Sequence, residues 1–165
     1  IVPLLGFTIL GNYALAVQFY IIMMAVSLIV FKYLIPQDAS GIQNLGLKKL
    51  TVLISILISV LSMILTPVVI PQIFPQYVDS IIAIQILSVS VPGATIGYIY
   101  LSKFLGSEKG KLVLVGRIIS ISSLVLGMLI LPGYFGISGA AVAFVISTYC
   151  QTGFFIISKI KYVNN

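Results

Sequence analysis

Five runs of about twenty mostly apolar residues constrain the fold of this chain more than any other feature. They cover residues 13–34, 50–70, 78–102, 112–131 and 137–158. Each run is long enough to cross the hydrocarbon core of a bilayer as an α-helix. Only 7% of the residues are charged, whereas a soluble domain has roughly 25%. The runs are continuous and do not alternate in polarity, which favours helices over a membrane β-barrel.

The first ten residues, IVPLLGFTIL, are also apolar but lack the basic start of a signal peptide. We interpret them as the end of a preceding membrane helix. The sequence therefore predicts an all-α integral membrane protein with five complete transmembrane helices plus the end of a sixth. Residues 1–165 would form a single helical lobe, a fragment that lacks its N-terminal part. A complete, processed protein is the alternative.

Basic residues mark alternate joints between the runs. Eight of the nine flank the first joint, the third joint or the C-terminal tail: Lys32, Lys48, Lys49, Lys103, Lys109, Lys111, Lys159 and Lys161. Because positive residues are retained in the cytoplasm, the pattern predicts a multi-pass protein with a cytoplasmic C-terminus and external turns at 71–79 and 132–138. In the second turn we expect Gly133 to cap the fourth helix and Ser138 the fifth. The lysines do not form the single patch typical of nucleic-acid binding, so no nucleic-acid partner is expected.

The ninth basic residue, Arg117, lies about two helical turns inside the fourth run. Charged groups at membrane depth usually face a bundle interior or a cavity, and a guanidinium there can bind a phosphate in a bidentate way. The alternative is that Arg117 extends to the cytoplasmic interface. Three amides are further candidates for lining a substrate cavity, with hydrogen bonding between helices as their alternative role. They are Gln18, Gln85 and Gln151.

The third run contains the segment VPGATIGYIY, which combines a proline with two glycines. Pro92 removes a backbone donor and favours a kink, while Gly93 and Gly97 allow close packing. Packing between helices is one interpretation of the segment. A hinge for an alternating-access movement is the other.

The sequence contains no constellation of residues that is typical of catalysis. It has no histidine, and Cys150 is its single cysteine. The three acidic residues lie in separate joints, where we expect Asp38 to be a turn residue, Asp79 to complement the dipole of the third helix, and Glu108 to be solvated. The sequence therefore predicts no catalytic residue, no metal site and no cofactor.

Five short elements follow one another along the chain: GNYALA, then YLIPQDAS with LKKL, then PQIFPQYVDS, FLGSEKGK and LILPGYFGISGAAVA. Their order resembles the C-terminal half of the polysaccharide biosynthesis flippases, the lipid-linked oligosaccharide exporters related to multidrug and toxin extruders. The resemblance covers nearly the whole chain. It departs from the common pattern at Pro75, where many members have glycine.

The resemblance implies alternating access between two six-helix lobes, of which this chain would be most of one. It implies export of a polyprenyl- or dolichyl-linked glycan across the plasma membrane for polysaccharide or glycoprotein assembly in the cell envelope. The partners would be the lipid bilayer, the glycan substrate and the missing N-terminal lobe. A drug or cation antiporter of the same superfamily, a membrane-embedded transferase and a scaffold subunit without a cavity are the alternatives.

Overall fold

The computed structural model describes residues 2–42 and 44–163, and the side chains of residues 10–42 and 44–161. The described residues form four α-helices and a short 3₁₀ turn, with no strand: α1 (Val2–Ala39), α2 (Leu45–Ile73), the 3₁₀ turn (Pro75–Tyr77), α3 (Ser80–Gly106) and α4 (Gly110–Val163). All four helices are long and apolar enough to cross a membrane. The prediction of an all-helical chain is therefore confirmed for the described residues.

Helix α1 differs from the predicted pattern at its start. It runs without interruption from Val2 to Ala39, so residues 2–10 extend the first helix and are not the end of a separate one. The expectation of a break before Tyr13 was wrong because Gly11 and Asn12 lower helix propensity only modestly, which a long apolar helix tolerates. At 1.5 Å per residue, α1 is about 57 Å long and exceeds the thickness of a bilayer core.

Helix α4 reverses its direction at Gly136, which has φ 55° and ψ −132°. A Cβ atom placed on Gly127 would lie 2.8 Å from the Cβ of Ala143, although the two residues would be about 24 Å apart in a straight helix. Further along, the Oγ atom of Ser123 lies 3.8 Å from the Sγ atom of Cys150. The residues before and after Gly136 therefore form two antiparallel arms, which we call the first arm (110–135) and the second arm (137–163) of α4.

The turn of α4 lies within the predicted joint at 132–138, at Gly136 rather than at the predicted cap Gly133. Gly133 and Pro132 both belong to the first arm, and the reversal comes three residues after Gly133. The expected C-cap at Gly133 was therefore wrong, whereas the cap at Ser138 stays a prediction. Among the three glycines of this segment, only Gly136 adopts a backbone conformation that residues with a side chain rarely adopt. The spacing of the glycines in the sequence does not show which of them takes this conformation.

Helix α2 buries polar side chains and exposes apolar ones, which is the reverse of the pattern in a water-soluble protein. Its buried residues are mainly hydroxylic: Thr51, Ser55, Ser59, Thr66 and Ile70. Large apolar side chains of the same helix are exposed, with Leu57 65% and Ile64 63% accessible. In water this arrangement would be unfavourable, because apolar surface is driven inward. In a bilayer it is expected, since lipid solvates the leucines and every buried hydroxyl of α2 has a carbonyl partner. Ser59 donates to α3, and the hydroxyls of the other three donate to carbonyls of α2 itself.

Helix α3 is the centre of the bundle and packs against α1, α2 and α4. Small residues let the second arm of α4 approach it closely. A Cβ atom on Gly93 would lie 2.9 Å from the ring of Tyr149, and one on Gly97 would lie 2.8 Å from the Oγ1 atom of Thr152. On the α1 side, the hydroxyls of Ser27 and Thr95 are 2.8 Å apart. Packing is therefore one role of both glycines.

Prolines free two carbonyl groups at the interface between α2 and α3. A proline has no N–H group and cannot bond to the carbonyl four residues earlier. Pro92 thus frees the carbonyl of Ser88, which accepts a 2.7 Å hydrogen bond from the hydroxyl of Ser59 on α2. Pro67 frees the carbonyl of Met63, which accepts a 3.0 Å bond from the Nε2 atom of Gln85 on α3. Each helix therefore supplies the donor that the proline of the other helix removes.

This exchange predicts a specific coupling between Ser59 and Pro92. We expect Ser59→Ala to destabilise the solubilised chain by about 0.5–1.5 kcal/mol. In a Pro92→Ala background the alanine supplies the missing N–H group, so the same substitution should cost much less. Reversible unfolding of the four proteins of this double-mutant cycle measures the difference. Ser122→Ala, at an exposed hydroxyl, is the control, and strictly additive costs of Ser59→Ala and Pro92→Ala would refute the exchange.

The turn predicts opposite responses at two glycines that both have open space around them. A Cβ atom on Gly133 or on Gly136 meets nothing within 4 Å, but only Gly136 has a positive φ. We expect Gly136→Ala to destabilise the protein by about 1–3 kcal/mol, because alanine strains this conformation. Gly133→Ala should be neutral or stabilising, since it replaces glycine inside a helix. Thermal unfolding compares the two variants, and equal melting temperatures would contradict the position of the turn.

Candidate functional site

A polar cavity of about 210 Å³ lies between α1, α3 and both arms of α4. It contains two of the four polar candidates that the sequence singled out. Arg117 of the first arm and Gln151 of the second arm both line it, because the turn at Gly136 brings the two arms side by side. Three of its other lining residues are hydroxylic residues of the second arm: Ser147, Thr148 and Thr152.

Arg117 combines a position on the cavity wall with an exposed side chain. It lies seven residues after the start of α4 at Gly110, about 10 Å along the helix axis. Among the described residues Arg117 takes part in no ion pair. Its guanidinium group can therefore either bind an anion that enters the cavity or extend toward the nearer membrane face.

The hydrogen-bond donors of the cavity are not equivalent. The hydroxyl of Thr152 donates to the carbonyl of Gly93 at 2.9 Å. The hydroxyls of Ser147 and Thr148 both donate to the carbonyl of Phe144, at 2.8 Å and 3.0 Å. A hydroxyl that donates to the backbone offers only lone pairs to a ligand. The N–H groups of Arg117 and Gln151 consequently remain as donors for an anionic or carbonyl-bearing ligand, together with the hydroxyls of Ser120 and Tyr98.

Aromatic rings form the wall of the cavity on the α1 side. The ring of Tyr20 packs against Phe144 with centroids 4.9 Å apart and an interplanar angle of 74°. Tyr98 of α3 also lines the cavity and packs against Phe31 of α1 at 5.0 Å. Aromatic pairs favour defined ring arrangements, so Tyr20 of α1 and Tyr98 of α3 contribute an aromatic wall to the cavity.

The structure places the other two glutamines outside this cavity. Gln85 bonds to the carbonyl of Met63 across the α2–α3 interface, which is the interhelical role given as its alternative. Gln18 is exposed on the surface of α1. Neither residue lines the polar cavity.

The segment considered as a hinge borders the cavity. Gly97 lines it, and the carbonyl of Gly93 accepts the hydroxyl of Thr152. The carbonyl of Val89 accepts a 2.9 Å bond from the hydroxyl of Tyr149. Side chains of the second arm therefore contact the part of α3 around Pro92 closely, so a movement at Pro92 would also displace the cavity wall.

Asp38 has a structural role that the sequence did not indicate. It belongs to the last turn of α1, and its side chain is only 5% exposed. One carboxylate oxygen accepts a 2.5 Å bond from the Nζ atom of Lys48, and the other accepts a 2.7 Å bond from the hydroxyl of Ser102. The expectation of a turn residue was wrong, because α1 continues past Pro36. Ser102 lies 64 positions away, so no local pattern could reveal the contact.

The remaining two acidic residues lie at exposed joints. Asp79 directly precedes α3, but its side chain makes no capping hydrogen bond. Glu108 is exposed between α3 and α4. Neither carboxylate lines the polar cavity.

Comparison of the chain with protein-family models, with curated protein sequences and with solved structures gives no significant match. The functional interpretation therefore depends on the geometry of the two arms of α4 and of the polar cavity.

Proposed function

We propose that the chain is most of one lobe of an exporter that moves lipid-linked glycan precursors across the plasma membrane by alternating access. The observation that carries this proposal is the convergence of Arg117 and Gln151 in one cavity between apolar helices. An ionisable residue placed in this way usually marks a substrate path. The resemblance of the sequence to lipid-linked oligosaccharide flippases supplies the class of substrate.

The proposal counts the two arms of α4 as separate crossings, which gives five spans. Each arm exceeds the roughly 20 residues that a crossing requires, and the arms lie antiparallel. The proposed orientation has the C-terminus in the cytoplasm. It is supported by Lys48, Lys103 and Lys159, which line one groove although they come from the first joint, the third joint and the tail.

Within this proposal, Arg117 binds the phosphate of the lipid-linked glycan. Its planar guanidinium can donate two parallel hydrogen bonds to phosphate oxygens. The amide of Gln151 adds a neutral donor, and the hydroxyls of the second arm offer lone pairs to sugar hydroxyls. The proposed hinge is the segment of α3 around Pro92. Gly97 of this segment lines the cavity, and so does Thr152, whose hydroxyl donates to the carbonyl of Gly93.

The composition of the cavity favours this substrate over a drug or cation in the same kind of transporter. A coupled cation exchanger needs a carboxylate at membrane depth to bind its proton or sodium ion. The described residues that line the cavity include an arginine and no carboxylate. The charge of the site therefore suits an anionic head group.

The orientation predicts which joints reagents can reach from outside intact cells. In a Cys150→Ser background, we expect a membrane-impermeant maleimide to label Tyr134→Cys, because Tyr134 is 82% exposed near the external turn. Ser107→Cys, at the basic end, should react only after the cells are permeabilised. Labelling of Ser107→Cys but not of Tyr134→Cys in intact cells would invert the proposed topology.

The role of Arg117 predicts a selective loss of export. In cells that depend on the protein, we expect Arg117→Gln to reduce surface glycan at least tenfold and to accumulate the lipid-linked precursor inside. Arg117→Lys should retain part of the activity, because it keeps the charge but loses the bidentate geometry. Lys111→Gln removes an exposed charge of the same arm outside the cavity and is the matched control. Unchanged export by Arg117→Gln at equal protein level would remove this residue from the site.

A further inference from the structure

A second recess, of about 640 Å³, lies at the end of the bundle where the lysines collect. We call it the basic groove. Its polar and apolar lining residues come from all four helices and the adjoining joints, and none of them lines the polar cavity. Its volume falls within the range of about 300–1,000 Å³ that is typical of small-molecule sites. The basic groove is therefore a separate candidate for ligand binding.

The charge inside the basic groove is strongly positive. Four lysines line it, together with a single carboxylate, that of Asp38. Because Asp38 is already bound to Lys48, the remaining positive charge belongs to Lys49, Lys103 and Lys159. Like charges collected in one recess repel one another unless an anion binds between them.

Lys103 is the most constrained of these cations. It is partly buried in the last turn of α3 and lies within electrostatic range of both Lys48 and Lys159. Among the described residues it forms no ion pair. The Nζ atom of Lys159 lies 5.3 Å from the centre of the Tyr100 ring, a cation–π contact that helps to hold this ammonium group at the groove.

Apolar side chains form the rest of the groove. Leu45 and Val52 of α2 lie on one side, and Ile96 and Ile99 of α3 lie on the other. Leu45, the first residue of α2, is 59% exposed, so this apolar wall is open to the surroundings. A site with ammonium groups and an adjoining hydrocarbon wall matches a ligand that has a negatively charged head and an apolar tail.

We propose that the basic groove binds the phosphate head group of an anionic bilayer phospholipid, with an acyl chain along the Ile96–Ile99 wall. The lysines mark the end of the helices that lies at the membrane surface, where anionic phospholipids supply most of the negative charge. Basic pockets between membrane helices commonly bind such head groups on the cytoplasmic side. The bound lipid neutralises the lysine cluster and bridges α2, α3 and the second arm of α4. This proposal does not depend on the transport function.

The test titrates the detergent-solubilised full chain with dioctanoyl-phosphatidylglycerol and measures the dissociation constant by calorimetry. Each lysine near a phosphate contributes about a fivefold gain in affinity, so we expect Lys49→Gln with Lys103→Gln to weaken binding about 30-fold. The matched control is Lys32→Gln with Lys111→Gln, which removes two exposed charges that do not line the groove and should change binding less than twofold. Lys49→Arg with Lys103→Arg keeps the charge and should retain binding, which guards against a simple loss of folding.

Three further ligands identify the source of the phosphate. Dioctanoyl-phosphatidylcholine, which has no net charge, should bind at least tenfold more weakly than the phosphatidylglycerol. Glycerol 3-phosphate, which has no acyl chain, should not compete at equal concentration. Equal binding of either ligand, or equal weakening by the control pair, would overturn the proposal. Preferential binding of a polyprenyl diphosphate would also overturn it, by assigning the groove to a lipid-linked glycan.

The outcome is separable from that of the transport proposal. Arg117→Gln leaves every residue of the basic groove in place and should bind phosphatidylglycerol as the unchanged protein does. Loss of lipid binding in that variant would mean that the two recesses are one site, contrary to the present assignment.

Discussion

Hydrocarbon offers no hydrogen-bond partner, so each carbonyl that a proline frees inside a membrane helix must find its donor elsewhere in the protein. Helices α2 and α3 meet this requirement reciprocally. Ser59 of α2 donates to the carbonyl that Pro92 frees, and Gln85 of α3 donates to the one that Pro67 frees. Because each donor is fixed in one register, the two helices cannot slide past each other without exposing a carbonyl. The position of α2 on the central helix follows from this exchange.

The same constraint places Ser59 at the interface while the leucines of α2 face outward; the other buried hydroxyls of α2 donate to carbonyls of their own helix. A serine that serves a carbonyl on a neighbouring helix must lie at the interface, and it permits the close approach that van der Waals packing requires. On the opposite side of α3, Tyr149 and Thr152 donate to the carbonyls of Val89 and Gly93. The segment of α3 around Pro92 is thus bonded from both sides, and the polar cavity borders the contacts made by the second arm. A movement at Pro92 would have to exchange or stretch these bonds, which gives the proposed hinge a defined set of donors.

Much of the fold could be predicted from the sequence because hydropathy and the alternation of lysines are local signals. The details that differed depend on distant residues or on backbone geometry. Gly133 and Gly136 are both uncrowded glycines in one short segment, and only the φ angle of Gly136 identifies the turn. The place of Gln85 depends on Pro67 in another helix, and that of Asp38 on a serine 64 positions away. For the site, charge at membrane depth selected Arg117. The reversal at 132–138 was also predicted, but which residues of the two arms face each other, Arg117 and Gln151 among them, was not.

The two recesses differ in the position of their cations along the helices, and therefore in how each would bind an anion. The basic groove collects lysines at the ends of the helices, where each ammonium group remains close to water and an anion is held mainly by summed point charges. Arg117 is a single cation about two turns inside α4, and its guanidinium can donate two directional hydrogen bonds to one anion. Several lysine point charges suit a head group that exchanges freely with the bilayer, as proposed for the basic groove. A single guanidinium, that of Arg117, suits directional recognition of a phosphate that enters the bundle, as proposed for the polar cavity. Asp38 reinforces the difference, because it neutralises one lysine at the surface and lies outside the polar cavity.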